Sequence, residues 1–198
     1  MSETVTTAQS NAGGIGPGRL VLVVGPSGAG KDTLLRLARA ACVDDPSVVF
    51  PRRVVTRESS ADEDNIAVTP DEFRNAREHG DFAVHWEAHG HSYALPAGIN
   101  DDIRAGRTVV ANVSRTVIGA LRLAYANVVV VAVTAPPEVL AVRLAARARH
   151  SDGNIAERLT RSVDDASAHA DVTILNAGSA EDHGRQLLRV IRNQGWQE

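Results

Sequence analysis

A chain of 198 residues is the size of one domain, or of one domain carrying a small insertion. With 43% hydrophobic and 23% charged residues it has the make-up of an ordinary globule, and a net charge of −3 excludes a general attraction to nucleic acid or to an anionic membrane surface. One cysteine, Cys42, excludes an intrachain disulfide.

Residues 1–18 are rich in Thr, Ser, Gly and Ala and lack both a basic start and an apolar core, so they read as a disordered tail and not as a signal peptide. Apolar residues 20–24 predict a first strand, and an amphipathic stretch over 32–42 predicts the first helix, with Cys42 as a small buried residue at its end. Residues 48–56 are extended, with Pro51 as an interruption or an edge. Thr69 as N-cap, Pro70 in the first helical position and the acids Asp71 and Glu72 in the first turn start a helix that Gly80 ends. Residues 82–87 predict a short strand, and 96–105 a short helix ended by Gly106. The near-continuous apolar runs 108–113 and 127–134 read as buried parallel strands, far too short to span a membrane. Stretches 136–147 and 155–168 are amphipathic, 171–175 is a last strand and 180–192 a closing helix. This alternation predicts an α/β fold with a parallel sheet. Two stretches lie outside it: an insertion over about 57–95, and a polar, arginine-bearing loop over about 147–154. In nucleotide-using kinases an acceptor subdomain and a closing lid occupy such places.

The chain has a single lysine, Lys31, against twenty arginines. It sits in Gly25-Pro26-Ser27-Gly28-Ala29-Gly30-Lys31-Asp32-Thr33, which fits the phosphate-binding loop pattern G-x-x-x-x-G-K between a strand and a helix. Glycines let successive N–H groups turn inward, the helix N-terminus adds its partial positive charge, and a compact ammonium can reach the β- and γ-phosphates of a nucleotide such as ATP. The residue after the lysine is usually Ser or Thr, whose hydroxyl binds Mg²⁺; here it is Asp32, with Thr33 next. Two readings stand side by side. Asp32 contacts Mg²⁺, or it caps the helix while Thr33 serves the phosphate.

Several further motifs appear in order: Thr56-Arg57; Pro70-Asp71-Glu72-Phe73 followed by Gly80-Asp81-Phe82; Trp86 through Gly90-His91-Ser92-Tyr93-Ala94-Leu95-Pro96; Arg143-Leu144, Arg147, Arg149, Asp152, Ile155 and Arg158-Leu159; and His169-Ala170-Asp171. Together with the loop they resemble the guanylate kinase family over residues 25 to about 188. That resemblance implies a three-layer P-loop NTPase fold with a parallel five-stranded core sheet, an inserted acceptor subdomain and a lid. It implies that Arg57 and Tyr93 contact an acceptor phosphate and that lid arginines Arg147, Arg149 and Arg158 act on the transferring group.

The guanine-reading positions depart from that family. The second acceptor arginine is missing from Glu58-Ser59-Ser60-Ala61, Arg53 stands where a serine is expected, His85 replaces a base-reading glutamate beside Trp86, and Asn112 is near the place of a missing aspartate. Instead, Gly-Pro-Ser-Gly-Ala-Gly-Lys-Asp-Thr, Arg52-Arg53-Val54-Val55-Thr56-Arg57 and Trp86-Glu87-Ala88-His89-Gly90-His91-Ser92-Tyr93 are similar to the branch of ribose 1,5-bisphosphate phosphokinases. This implies ATP-dependent formation of 5-phosphoribosyl 1-diphosphate in phosphonate catabolism, with Arg53, Arg57, His85, Glu87 and Tyr93 as acceptor-binding candidates, ATP and a phosphorylated small molecule as partners, and a cytoplasmic location. Neither nucleic acid nor membrane is expected as a partner, and a homo-oligomer stays open.

Plainer readings accompany each residue. Arg158 and Arg161 could pair with Glu157 or Asp165 on a helix surface; Arg52 and Arg53 could be strand-edge charges; Tyr93 and Trp86 could simply pack. His85, His89 and His91 invite a zinc reading, though no cysteine accompanies them. Another small-molecule kinase, such as a divergent guanylate kinase, or a nucleotide-binding interaction module are the rival functions.

Overall fold

In a computed structural model the described residues are 13–57, 64–147 and 170–194. They hold nine strands in two sheets. The larger, all-parallel sheet runs in the order β2 (Val48–Val49), β7 (Thr108–Asn112), β1 (Arg19–Val24), β8 (Val128–Thr134), β9 (Val172–Leu175). The smaller runs β4 (Asn65–Ala67), β3 (Arg53–Val55), β6 (His91–Pro96), β5 (Phe82–Ala88). By internal contacts the chain divides into two units, residues 23–44 with 129–194 and residues 13–22 with 45–128.

In the first unit, the apolar end of β1 leads through the glycine-rich loop into α1 (Lys31–Ala41). Val128–Thr134 is followed by α5 (Pro137–Arg147), and β9 by α6 (Ala180–Ile191). Helices α1 and α6 pack directly on one another. Gly184 allows the approach, since a Cβ there would press against Leu37. β9 is registered on β8 by Val131↔Val172 through Thr134↔Leu175 and fastened at its start by Asp171, whose N–H donates to Val130 O (2.9 Å) and whose Oδ2 accepts from Val130 N–H (2.7 Å). Cys42 is buried at the end of α1, as expected.

In the second unit, Pro51 does what a proline does to a sheet: it cannot donate to a ladder. The extended stretch is cut into β2 and β3, and the two halves enter different sheets. α2 (Pro70–Glu78) starts on a full capping box, in which the Thr69 side chain accepts from Glu72 N–H (3.2 Å) and the Glu72 carboxylate accepts from Thr69 N–H (2.7 Å). Phe73 of this helix packs with Val54, Ala94, Val68 and Phe82 on one face of the small sheet. The remaining helices are α3 (Ile99–Arg104) and α4 (Ile118–Ala124), the latter preceded by a 3₁₀ turn, Arg115–Val117.

Several expectations need correction or addition. Beyond the expected helix and the strand expected over 82–87, the insertion carries β4 and β6, and β5 and β6 form a hairpin. Its turn is His89-Gly90, both in the left-handed region (φ 53° and 76°), the geometry of a tight two-residue connection. The helix expected over 96–105 begins only at Ile99, because residues up to Pro96 are held in the antiparallel ladder opposite Phe82. α4 was not expected at all. Residues 13–18, expected within a disordered tail, are tied down: Ile15 N–H donates to Ala124 O (2.8 Å), Ala126 N–H to Ile15 O (2.9 Å) and Gly18 N–H to Ile103 O (2.9 Å). The amphipathic stretch 155–168 and nearly all of the expected lid lie outside the described residues. No helix among the described residues is long and apolar enough to cross a membrane.

Candidate active site

The glycine-rich loop belongs to the first unit. Gly25 leaves β1 at φ 141°, and a Cβ there would be driven into Val133 O, so the chain can turn only with glycine. Gly28 (φ 83°) and Gly30 (φ 90°) also adopt left-handed angles, and Gly30 is the N-cap of α1, without a side-chain cap. Asp32 is therefore the second residue of the helix, inside its first turn, and not its cap. That removes the capping alternative and leaves a half-buried carboxylate at the positive end of the helix.

The carbonyls of this loop are gripped from outside. Lys31 Nζ donates to Gly25 O (2.9 Å) and Pro26 O (2.8 Å). Arg143, on α5, donates from Nη1 to Gly28 O (3.3 Å) and Ala29 O (3.5 Å), and from Nη2 to Asn176 O (3.4 Å). Asn176, just beyond β9 and 3% exposed, donates from Nδ2 to Ala29 O (2.8 Å), while its own N–H donates to Thr134 O (2.7 Å). A trans peptide sets N–H antiparallel to C=O. Holding the Ala29 carbonyl on Asn176 and Arg143 thus turns the Gly30 N–H to the opposite side, as an anion cradle requires. In the sequence Arg143 reads only as part of the lid motif, and Asn176 is not singled out at all.

Acceptor candidates lie in the second unit. Tyr93 is the cross-strand neighbour of both Trp86 and Val55. Its ring stacks on Trp86 (centroids 5.7 Å apart, planes 10° apart), and its hydroxyl accepts from Arg57 Nε at 3.3 Å, with the guanidinium carbon 5.9 Å from the ring centre. Tyrosine thereby orients the planar fork of Arg57. Arg53 lies two residues before Val55, on the same face of β3, and donates to Asn65 Oδ1 (3.2 Å). His85 and Glu87 fall on the other face of β5, opposite Ala94 and Ser92, and are exposed. The structure brings Arg57, Tyr93 and Trp86 together and does not bring His85 and Glu87 to them, which is a correction of the expected grouping. Its reason is the period of two along a strand. Trp86 is buried, as the plain reading had it. Arg52 is a surface charge paired with Asp64 (2.7 Å). Arg147 ends α5, and Arg149, Arg158 and Arg161 lie outside the described residues.

No family model matches the chain. Among curated proteins, ribose 1,5-bisphosphate phosphokinase PhnN of Bradyrhizobium diazoefficiens is 81% identical over 198 residues, covering all of both chains. The protein of that name from Rhodopseudomonas palustris is 64% identical over 189 residues, 96% of each chain, and that from Methylobacterium radiotolerans 52% identical over 176 residues, 89% of this chain and 98% of the relative. Guanylate kinase from Anaplasma phagocytophilum has a TM-score of 0.67 over 95% of this chain and 88% of that one at 19% identity, a likeness of fold alone. Full-length similarity at this level, on a P-loop kinase fold with its phosphate loop intact, means that the chain belongs to the ribose 1,5-bisphosphate phosphokinase family.

Proposed function

We propose that this chain transfers the γ-phosphoryl group of ATP to the 1-phosphate of ribose 1,5-bisphosphate, giving 5-phosphoribosyl 1-diphosphate and ADP. The observation that carries the reading is the 81% identity over the whole of both chains to a protein bearing that name. The chemistry of the residues agrees with it. The nucleophile is an oxygen of the sugar 1-phosphate, and a phosphate monoester has its second pKa near 6, roughly, so it is already ionised at neutral pH. A bond forms from this oxygen to the γ-phosphorus as the bond to the β–γ bridging oxygen breaks, and ADP leaves with that electron pair. No proton has to be taken from the nucleophile, so no general base is required; the work is positioning and charge neutralisation.

Gly25 to Thr33 would cradle the donor, with Lys31 exchanging the Gly25 and Pro26 carbonyls for β- and γ-phosphate oxygens. Arg57 and Tyr93, with Arg53 on the same face, would hold the acceptor phosphate. Arg147, Arg149 and Arg158 would close on the transferring group, where one well-placed arginine is worth roughly 10³–10⁵ in rate. The first turn of α1 offers two hard oxygen donors that fit Mg²⁺, the Asp32 carboxylate and the Thr33 hydroxyl. Magnesium bound with ATP supplies neutralisation of the β- and γ-phosphate charge. We assign the reaction to the cytoplasm, where ATP is supplied, and to phosphonate breakdown.

Phosphorus NMR of the chain incubated with ATP, Mg²⁺ and ribose 1,5-bisphosphate is expected to show a new diphosphate on the sugar and ADP in equal amount. ATP left intact, or phosphoryl transfer to guanosine monophosphate in preference to the sugar, would sink the reading.

A further inference from the structure

We infer that Arg115 is a further ligand for a phosphate group of the acceptor, in addition to Arg57. This inference rests on the reading of the acceptor as a sugar bisphosphate. Arg115 opens the 3₁₀ turn that directly follows the carboxyl end of β7, where open α/β sheets bind their ligands. Ser114 fixes the turn, its hydroxyl accepting from Thr116 N–H at 3.3 Å. The turn packs against β5, the strand that carries Trp86 and, through it, the Tyr93–Arg57 pair.

The state of the side chain is the observation that carries the assignment. Arg115 is half-buried, and its Nη1 is shut off from solvent and has no hydrogen-bond partner among the described residues. A buried donor on a charged group without an acceptor is costly and uncommon. Four other arginines of this unit are paired with carboxylates: Arg52 with Asp64, Arg74 with Asp71, Arg104 with Asp101 and Arg107 with Asp102. No such carboxylate meets Arg115 among the described residues. An acceptor with two phosphates carries roughly −3 to −4 charges near neutral pH, more than Arg57 and Arg53 together balance. A guanidinium held without a protein anion, beside the strand that carries the acceptor residues, is matched to a phosphate that arrives with the substrate.

The test is a titration of ribose 1,5-bisphosphate into the full chain in the absence of nucleotide, with steady-state kinetics alongside, for the parent, Arg115→Gln and Arg115→Lys. Arg115→Gln is expected to weaken sugar-bisphosphate binding and raise its KM tenfold or more while the KM for ATP stays within twofold; Arg115→Lys recovers part of the loss. Thermal melting checks that the variants fold, and the lysine variant alone carries the comparison if the glutamine variant does not. Unchanged affinity and KM for the sugar bisphosphate, or equal losses toward ATP and sugar, overturn the assignment and leave the proposed reaction standing. Should the parent neither bind nor phosphorylate ribose 1,5-bisphosphate, the proposed reaction fails instead. Inorganic pyrophosphate then decides the anion site: binding lost in Arg115→Gln upholds it, and equal binding ends it.

Discussion

The side-chain amide of Asn176 donates to the carbonyl of Ala29 across 147 positions of sequence, at 2.8 Å and out of reach of solvent. It fixes the plane of the peptide whose other edge is the Gly30 N–H. Asn176→Ala should leave that carbonyl with the longer Arg143 contact alone and loosen the phosphate loop. A buried hydrogen bond of this kind is worth about 1–2 kcal/mol, so the KM for ATP is expected to rise roughly tenfold with little change in that for the sugar bisphosphate. An ATP KM within twofold of the parent's would show that the loop keeps its shape unaided.

Lys31→Ala removes the ammonium that bridges Gly25 and Pro26. Activity should fall by roughly 10²–10³, the scale of a lost charge-stabilising donor, with an unchanged far-ultraviolet circular dichroism spectrum. Retained turnover in a folded variant would move the donor site away from this loop.

Tyr93→Phe keeps the stack on Trp86 and deletes the oxygen that orients Arg57. A several-fold higher KM for the sugar bisphosphate is expected, at constant KM for ATP. Arg57→Lys should be worse, since an ammonium cannot reproduce the fork. If the order of these two variants is reversed, the tyrosine itself is the main phosphate ligand.

Asp32→Ala should raise the Mg²⁺ concentration needed for half-maximal activity several-fold, and Asp32→Ser should recover part of it. An unaltered magnesium titration in both variants would hand the metal to Thr33.

Burial pushes the Tyr125 hydroxyl up from 10.0 to about 12, against a smaller opposing influence of Arg104, and the hydroxyl donates to Asn100 Oδ1 at 2.6 Å. The unfolded chain loses this proton near 10 while the folded chain keeps it to about 12. Between those values the unfolded state binds fewer protons, so stability is full below pH 10 and declines as pH rises toward 12. Tyr125→Phe should be somewhat less stable at pH 8, having lost the bond to Asn100, but should show a flatter decline in melting temperature from pH 10 to 11.5. Parallel declines would mean that other groups govern the alkaline limb.

Local signals carried much of this fold. The run into Gly25 and the lysine at the loop's end announced a strand, a phosphate cradle and a helix, and Thr69 with Glu72 announced the start of α2. What stayed hidden depends on partners far away in sequence or on unusual backbone angles. His89 adopts a left-handed conformation that its side chain does not advertise, so the β5–β6 hairpin was not apparent. Without the hairpin, the alternation that separates His85 and Glu87 from Trp86 could not be applied. Asn176 and Arg143 act on a loop more than a hundred residues earlier, and nothing adjacent to either residue signals that contact. The unpaired state of Arg115 exists only once its turn is packed.

Because the chain contains one lysine and that lysine closes the phosphate loop, amine-directed acylation becomes a reporter of a single place in the molecule. Apart from a chain terminus, any adduct marks the glycine-rich loop. The speed at which it forms, with and without ATP, reads out how often that ammonium lets go of its two carbonyls.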